Sequence, residues 1–326
     1  MSSVSVVRIF YNSWIPDDLA ALLRSLLPEG FDLITLDSDD NGERKDRIKE
    51  VDIAIVAAKP LDSSVLDAAS KIRLVHHQGV GYQDTLDLKA LKDRGIRVAI
   101  TPGGTTESVA EHTIMLMLAA LRHLPLADSQ LRKGNWLINE LRLDSREMRF
   151  CSVGIIGMGR IGQAVARLLK AFGSSGFYYD PYITLPKAVE QELGFAKRDF
   201  DQVLAKAQLL TLHVPCNDET RHCIDERAIN LMPEKAVIVN AARGGLIDEK
   251  ALLKALESGR LGAAALDCFE QEPPSLDNKL LQLPNIVVTP HIAAGTRDAI
   301  IAKWRFIYSN IQSFVTQGEL ENEVSL

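Results

Sequence analysis

The amino-acid sequence predicts an α/β protein of two domains, each built on a doubly wound parallel sheet. Three observations lead to this class. The chain has 326 residues, which is more than one domain of ordinary size. Short apolar segments alternate with helix-patterned segments in both halves, and that alternation is typical of βαβ units. One apolar segment of the second half runs directly into a glycine-rich turn that begins at Gly157.

The first hundred residues contain five predicted strands separated by helices. Apolar runs bounded by turn residues predict the strands, at 4–10, 31–36, 52–57, 72–76 and 96–100. Helix-patterned segments lie between them, at 17–27, 44–50, 63–69 and 86–93. The series ends at Thr101-Pro102-Gly103-Gly104, because proline and glycine interrupt both helix and strand.

A long apolar helix and a less regular segment separate the two series. The helix is predicted from Glu107 to Arg122, and apolar residues on nearly every side are typical of a buried helix. Residues 127–149 carry Trp136 and form either an arm that packs on another subunit or a surface loop. The second series has predicted strands at 152–156, 176–179, 209–214, 236–240, 263–267 and 286–289, and helices at 246–258 and 298–317.

Composition and charge argue against a nucleic-acid or membrane protein. The net charge is −6 and no basic block is present, so polyanions are not expected partners. No apolar run is long enough to span a bilayer, and the first residues lack the pattern of a signal peptide. The four cysteines form no C-x-x-C pair, and no cluster has metal-ligand spacing. We therefore expect reduced thiols, a cytoplasmic location and no bound metal.

The segment after the first strand of the second half carries a dinucleotide-binding pattern. Gly157, Gly159 and Gly162 stand as G-x-G-x-x-G between a strand and a helix. In that context Gly157 permits a tight turn, and Gly159 lets the backbone approach a pyrophosphate closely. Gly162 allows the helix to pack closely on the strand. Arg160 and Ile161 begin the helix, where free N–H groups and a partial positive charge attract phosphates.

An acidic residue ends the next predicted strand, about 20 residues after the glycines. Asp180 stands where a carboxylate can accept hydrogen bonds from both ribose hydroxyls of NAD and would repel the 2′-phosphate of NADP. We therefore predict NAD as the cofactor. The other interpretation is a structural βα turn in which Asp180 caps a strand.

Three polar residues near the ends of late strands are the candidate catalytic groups. Arg243 follows a buried strand beside two glycines, which suits bidentate capture of a carboxylate. Glu272 precedes two prolines, and a glutamate on such a stiff loop can orient a histidine and favour its charged form. His291 ends the last strand before small residues and can give and take a proton. The alternatives are a surface arginine, an exposed acidic turn and a histidine that caps a strand.

A loop of the first half is a candidate anion-binding site. His76-His77-Gln78-Gly79-Val80-Gly81-Tyr82 follows a predicted strand, and its backbone N–H groups could form a nest for an anion. A plain βα turn is the alternative.

Together these segments resemble the D-isomer-specific 2-hydroxyacid dehydrogenases, the family of D-lactate, D-3-phosphoglycerate and D-glycerate dehydrogenases. The resemblance covers nearly the whole chain. The matching segments are, in order, 77–82, Thr101-Pro102-Gly103, Val109-Ala110-Glu111, 154–162, Tyr179-Asp180-Pro181, 212–215, 240–248, 265–267, Glu272-Pro273-Pro274 and Pro290-His291. The loop at 82–87 is about one residue longer than the family pattern.

The resemblance implies a discontinuous flavodoxin-like substrate domain at 1–102 and 297–326, and a Rossmann NAD-binding domain at 103–296. It implies that Arg243, Glu272 and His291 are catalytic and that Val80 and Gly81 bind substrate together with Arg243 and His291. The implied contacts to the cofactor are Gly157, Gly159, Arg160, Ile161, Gly162, Asp180, His213, Pro215, Thr220, Ala241, Ala242, Arg243, Asp267 and His291.

The implied activity is NAD-dependent interconversion of a D-2-hydroxy acid and its 2-oxo acid, in a homodimer formed through residues 103–150. An NAD(H)-binding corepressor-like protein on the same scaffold is the alternative. Glyoxylate, hydroxypyruvate, pyruvate and 3-phosphohydroxypyruvate all remain possible substrates. A phosphorylated substrate would need further cationic groups; Arg73 and Lys59 lie in the substrate half, but nothing in the sequence directs them inward.

Overall fold

A computed structural model describes residues 6–57, 59–83 and 85–326. By its internal contacts the chain separates into two compact units. The first unit lies within residues 1–105 and 297–326, and the second is Thr106–Thr296. Each is an α/β unit in its own right, because each has a parallel sheet with its own hydrophobic core.

The strands and helices alternate along both units. The strands are β1 (Val7–Tyr11), β2 (Phe31–Ile34), β3 (Ile53–Val56), β4 (Leu74–His77), β5 (Arg97–Ile100), β6 (Ser152–Ile156), β7 (Ser175–Tyr179), β8 (Phe195–Lys197), β9 (Leu209–Leu212), β10 (Ala236–Asn240), β11 (Leu261–Leu266) and β12 (Ile286–Val288). The helices are α1 (Asp17–Ser25), α2 (Asn41–Ile48), α3 (Ser63–Leu66), α4 (Leu88–Asp93), α5 (Thr106–Leu121), α6 (Leu124–Arg132), α7 (Ile138–Asp144), α8 (Arg160–Ala171), α9 (Lys187–Leu193), α10 (Phe200–Lys206), α11 (Glu226–Leu231), α12 (Glu249–Glu257) and α13 (Arg297–Gln317).

The sequence prediction identified the elements with clear apolar periodicity and missed short ones. Residues 4 and 5 of the first predicted strand lie outside the described residues. β8, α9, α10 and α11 were not predicted, because three to seven residues are too few to establish a period. The less regular segment at 127–149 contains α7 and most of α6.

The first unit is a five-stranded parallel sheet in the order β2-β1-β3-β4-β5. One face packs on α1 and α13 through a cluster that includes Leu23, Trp304 and Ile311. The other face packs on α2, α3 and α4 through Ile48, Val65 and Leu91, among others. Because the chain order reverses beside β1, the carboxyl edge of this sheet has the crevice where open α/β sheets bind ligands.

The second unit is a seven-stranded parallel sheet in the order β12-β11-β10-β9-β6-β7-β8. The chain order reverses between β6 and β9, so the turns after these two strands lie side by side at the switch point. The long apolar α5 packs with α8 against one face of this sheet, which explains why most of its residues are buried. Across the residues described, no helix is long and apolar enough to cross a membrane.

Candidate active site

The glycine-rich turn after β6 has the geometry that the sequence predicts. Gly157 has φ +95°, and a Cβ there would lie 2.4 Å from the carbonyl oxygen of His213. A Cβ on Gly162 would lie 2.1 Å from the carbonyl oxygen of Gly157, so α8 packs directly against the turn. A Cβ on Gly159 would meet nothing within 4 Å, which leaves space in front of the turn.

The start of α8 can bind an anion in that space. Gly159 is the N-cap residue and provides no side-chain cap, so the N–H groups of Arg160 and Ile161 lack intrahelical partners. Free N–H groups and the helix dipole at this position favour a phosphate group. The turn and helix therefore fit the pyrophosphate of a dinucleotide.

Asp180 is committed to the backbone more than the sequence suggested. Its Oδ2 accepts a hydrogen bond from the N–H of Met158 at 2.8 Å, and its Oδ1 accepts from the N–H groups of Tyr182 and Ile183 at 2.9 and 2.8 Å. A carboxylate has about four acceptor positions, so three are in use. The side chain holds the glycine turn in place and keeps an acceptor position free, and its contact with both ribose hydroxyls stays a prediction.

The turn after β9 shapes the neighbouring wall of the switch point. Burial lowers the pKa of His213 to about 4, so its imidazole is neutral near pH 7. Its Nε2 lies 3.0 Å from the hydroxyl oxygen of Thr211. The Thr220 hydroxyl donates to the carbonyl oxygen of Pro215 at 2.7 Å, which closes the loop between them. The same hydroxyl accepts from the N–H of Asn217 at 2.9 Å, so Thr220 stabilises the loop.

Glu272 and His291 form the one carboxylate–imidazole pair that the sequence predicted. The Nδ1 of His291 lies 2.8 Å from Oε2 of Glu272. The other oxygen, Oε1, accepts from the N–H of Phe269 at 3.0 Å, so the carboxylate is fixed at both ends. About two-fifths of each side chain is exposed. This arrangement fixes the ring orientation of His291 and leaves Nε2 as the atom that can exchange a proton.

Arg243 lies on an exposed loop directly after β10. Asn240 holds this loop at two points, since its side chain accepts from the N–H of Ala242 at 3.0 Å and donates to the carbonyl of Arg243 at 2.9 Å. Gly244 is pressed against the backbone of Phe269, where any Cβ would clash. One guanidinium N–H donates to the carbonyl of Ala242 at 2.7 Å, so most of the donors of Arg243 are free for a carboxylate.

Asp267 is a buried anchor for the segment that carries His291. It is fully buried, and its oxygens accept from the Thr289 hydroxyl at 2.6 Å and from the N–H groups of Ile292 and Ala293 at 2.9 and 2.8 Å. The Nε2 of His112 lies 3.1 Å from the Thr289 hydroxyl and 3.3 Å from the Asp267 carboxylate. No local pattern in the sequence indicates this network.

In the first unit, the candidate anion-binding loop follows β4. The N–H of Gly79 donates to Nδ1 of His77 at 3.0 Å, which folds the loop back on the strand end. Val80 and Gly81 are exposed, and their N–H groups have no hydrogen-bond partner among the residues described. Residue 84 of the longer loop at 82–87 lies outside those residues. These two N–H groups are therefore open to a ligand, and the anion-binding nest stays a prediction.

The fold and these side chains define a class, the dinucleotide-binding α/β oxidoreductases with a carboxylate–histidine pair. Residues 114–293 match the family model described as D-isomer specific 2-hydroxyacid dehydrogenase, NAD binding domain. The chain belongs to this family. The matched model is that of an NAD-binding domain, and NAD is the cofactor that the glycine turn fits.

Relatives and solved structures agree with the family. The chain is 39% identical over 287 residues to D-3-phosphoglycerate dehydrogenase of Archaeoglobus fulgidus, covering 87% of this chain and 54% of that protein. It is 37% identical over 278 residues to glyoxylate reductase of Korarchaeum cryptofilum, covering 84% and 82%. A solved structure of pyruvate reductase of Chlamydomonas reinhardtii aligns with a TM-score of 0.85 and 31% identity, covering 98% and 99%. The chain spans about half the length of the phosphoglycerate dehydrogenases it matches.

Proposed function

We propose that this chain interconverts a D-2-hydroxy acid and the corresponding 2-oxo acid with NAD(H). The observation that carries the proposal is the Glu272–His291 pair, in which a doubly fixed carboxylate orients an imidazole. The bound cofactor would supply or accept the hydride. Each relative reported above is named as a dehydrogenase or reductase, so nothing favours the corepressor-like alternative.

His291 is the proposed acid and base. In the reducing direction its protonated Nε2 gives a proton to the ketone oxygen of the 2-oxo acid, and in the oxidising direction it takes the hydroxyl proton. Glu272 stabilises the charged ring through Nδ1. Without this proton transfer an unprotonated alkoxide would form, which is costly.

Arg243 is the proposed ligand of the substrate carboxylate in the second unit. Its free guanidinium donors suit a planar carboxylate, and its charge also polarises the ketone oxygen. In the first unit, the unpaired N–H groups of Val80 and Gly81 are the proposed substrate contacts. We assign the first unit as the substrate domain and the second as the NAD-binding domain.

The remaining proposed cofactor contacts line the switch point of the second sheet. They are the glycine turn with the start of α8, Asp180, the loop from His213 to Thr220, and Ala241 and Ala242 after β10. Asp267 is also proposed to contribute to cofactor binding, mainly by anchoring the segment that carries His291 through the N–H groups of Ile292 and Ala293.

We also propose a homodimer formed through residues 103–150. Several large apolar side chains of this segment are exposed, including Trp136 at 72% and Leu143 at 91%. Isolated apolar residues are common on surfaces, but several in one segment favour an interface. Sedimentation of the wild type beside Trp136→Ser should show a shift towards monomer in the variant. The four free cysteines are compatible with the cytoplasmic location that we propose.

The test of the activity is NADH oxidation with a panel of 2-oxo acids: glyoxylate, hydroxypyruvate, pyruvate and 3-phosphohydroxypyruvate. NADPH serves as the cofactor control, since Asp180 should disfavour the 2′-phosphate. We expect selective turnover of at least one acid with NADH. Tight binding of NADH without turnover of any acid would contradict the proposal.

A further inference from the structure

A lysine without a carboxylate partner among the residues described lies beside the candidate anion-binding loop of the first unit. Lys303 lies on α13, which crosses one face of the sheet antiparallel to β4. The side chain of Asn310 contacts His76 near the middle of β4, whereas Lys303, two turns earlier on the helix, lies near His77 at the strand's carboxyl end. Lys303 is therefore on the side of the sheet where the loop at 78–82 begins.

The backbone of Lys303 is held closely in this position. Gly104 has φ +86°, and a Cβ there would lie 3.2 Å from both Cα and N of Lys303. The segment that precedes Gly104 is in turn fixed to β4, because the N–H of Thr101 donates to the carbonyl of His77 at 3.0 Å. The position of Lys303 relative to the loop is thus set by packing rather than by a flexible connection.

The ammonium group of Lys303 has no carboxylate partner among the residues described. Burial lowers the pKa of Lys303, and no acid among the described residues opposes that effect. The two other cations considered for a phosphorylated substrate, Lys59 and Arg73, already have interaction partners. Lys59 pairs with Asp39, and Arg73 lies over the ring of Phe314 at the amino end of the sheet. A partly buried cation without a counter-charge is costly, which makes it a candidate for ligand binding.

The groups around Lys303 are neutral or donate hydrogen bonds. Burial lowers the pKa of His77, so this ring is uncharged near pH 7, and its Nε2 is buried without a well-formed hydrogen bond to any described residue. The N–H groups of Val80 and Gly81 follow within a few residues. This part of the first unit therefore has two adjacent places for negative charge, the nest and the ammonium group.

We propose that Lys303 binds a second anionic group of the substrate, so that the first unit selects 2-oxo acids that carry a phosphate or a second carboxylate. This inference rests on the proposed function for the identity of the ligand as a 2-oxo acid. Phosphate and carboxylate share the chemistry that an ammonium recognises. His77 is a positioning residue, because its contact with Gly79 holds the loop next to Lys303.

The test compares substrates that differ only in the distal group. Steady-state kinetics with NADH would use hydroxypyruvate, 3-phosphohydroxypyruvate and oxaloacetate, with the wild type, Lys303→Met, Lys303→Arg and Arg305→Met. Arg305 is exposed on the same helix and serves as the matched control for loss of a positive charge. Whichever acidic substrate the wild type prefers identifies phosphate or carboxylate as the natural group.

We expect Lys303→Met to raise KM for the preferred acidic substrate at least about tenfold, as for loss of a hydrogen bond to a charged group. KM for hydroxypyruvate should change less than about twofold, Lys303→Arg should retain the preference, and Arg305→Met should leave all three substrates unchanged. Equal effects of Lys303→Met on acidic and neutral substrates, or a wild type that prefers hydroxypyruvate, would overturn the proposal.

A binding measurement separates this proposal from the proposed function. Calorimetric titration with 3-phosphoglycerate and with glycerate requires no turnover. Tighter binding of 3-phosphoglycerate that is lost in Lys303→Met but kept in Arg305→Met supports the subsite even if no 2-oxo acid is reduced. Equal binding of the two ligands by the wild type contradicts it.

Discussion

The carboxyl edges of the two sheets carry different kinds of chemical group. In the second unit two carboxylates are held by neighbours: Glu272 by Phe269 and His291, and Asp267 by Thr289 and two backbone N–H groups. In the first unit the edge has neutral buried histidines, together with backbone N–H groups and a lysine that have no partner among the residues described. Under the proposed function, one edge serves proton transfer and the other anion recognition, although both rest on the same kind of sheet.

This difference shows why similar α/β units need not share a task. Proton transfer requires a group whose orientation is fixed before substrate arrives, which explains the many hydrogen bonds around His291. Recognition of an anion instead needs donors that are left unsatisfied until the anion binds, and Val80, Gly81 and Lys303 have such donors among the residues described. The following predictions test each side of this contrast.

The largest effect is expected in the second unit, for His291→Ala. Loss of the proton donor should lower kcat at least about 100-fold, the lower scale of general acid catalysis. The dissociation constant for NADH, followed by nicotinamide fluorescence, should change little, because the glycine turn is intact. His123→Ala removes a histidine outside the site and is the control. Near-normal turnover of His291→Ala would remove this residue from the mechanism.

The next prediction compares a buried histidine of each unit. Burial lowers the pKa of His76 and of His213 to about 4 from an ordinary 6.5. Below pH 6.5 the unfolded chain binds protons that the folded chain excludes, so stability should fall as the pH falls from 6.5 to 4. A shift of this size corresponds to at most about 3 kcal/mol for each histidine.

Urea unfolding at several pH values measures this loss. His76→Gln cannot take up the proton and should flatten the pH dependence of the free energy of unfolding for the first unit. A Trp136→Phe background lets fluorescence report that unit, since Trp14 and Trp304 both lie in it. His213→Asn should leave this first-unit signal unchanged. Parallel pH curves for His76→Gln and its parent would show that His76 is not the acid-sensitive group.

A smaller effect is expected for Glu272→Gln. The amide oxygen can still accept from Phe269, but the amide NH₂ then faces Nδ1 of His291 and disfavours the doubly protonated ring. We expect kcat for reduction to fall about tenfold, with less change in KM. Glu270→Gln alters a nearby carboxylate that does not contact His291 and provides the control. Identical kcat values for both variants would contradict the orienting role.

The smallest effect is expected for Asp180→Asn. The amide retains one acceptor oxygen but loses the charge that disfavours the 2′-phosphate of NADP. The ratio of kcat/KM for NADH to that for NADPH should fall several-fold. We expect less than a tenfold fall, because three acceptor positions of the carboxylate are used by backbone N–H groups and one is free for ribose. Asp180→Ala should also lower the melting temperature, since three backbone N–H groups lose their acceptor. An unchanged cofactor ratio would argue that Asp180 only holds the turn.

The sequence determined the features that depend on local pattern. Apolar periodicity or an unbroken apolar run indicated the long elements, among them α5, α13 and the buried β10, because one buried face leaves a period in the chain and a fully buried segment leaves a continuous apolar run. The glycine turn was predictable for a similar reason. At Gly162 a Cβ would clash with the carbonyl oxygen of Gly157 in the same turn, so this requirement is local, whereas Gly157 itself is pressed against His213 of the neighbouring strand end.

Only the tertiary structure decided which groups meet. The strand orders and the contact of His112 with Thr289, 177 positions away, depend on how separate segments pack. Lys303 gives the clearest case, because no residue near it in sequence marks it as different from Arg305. Whether a lysine is solvated or left without a counter-charge beside a loop depends on its surroundings in space, and a linear pattern holds no record of them.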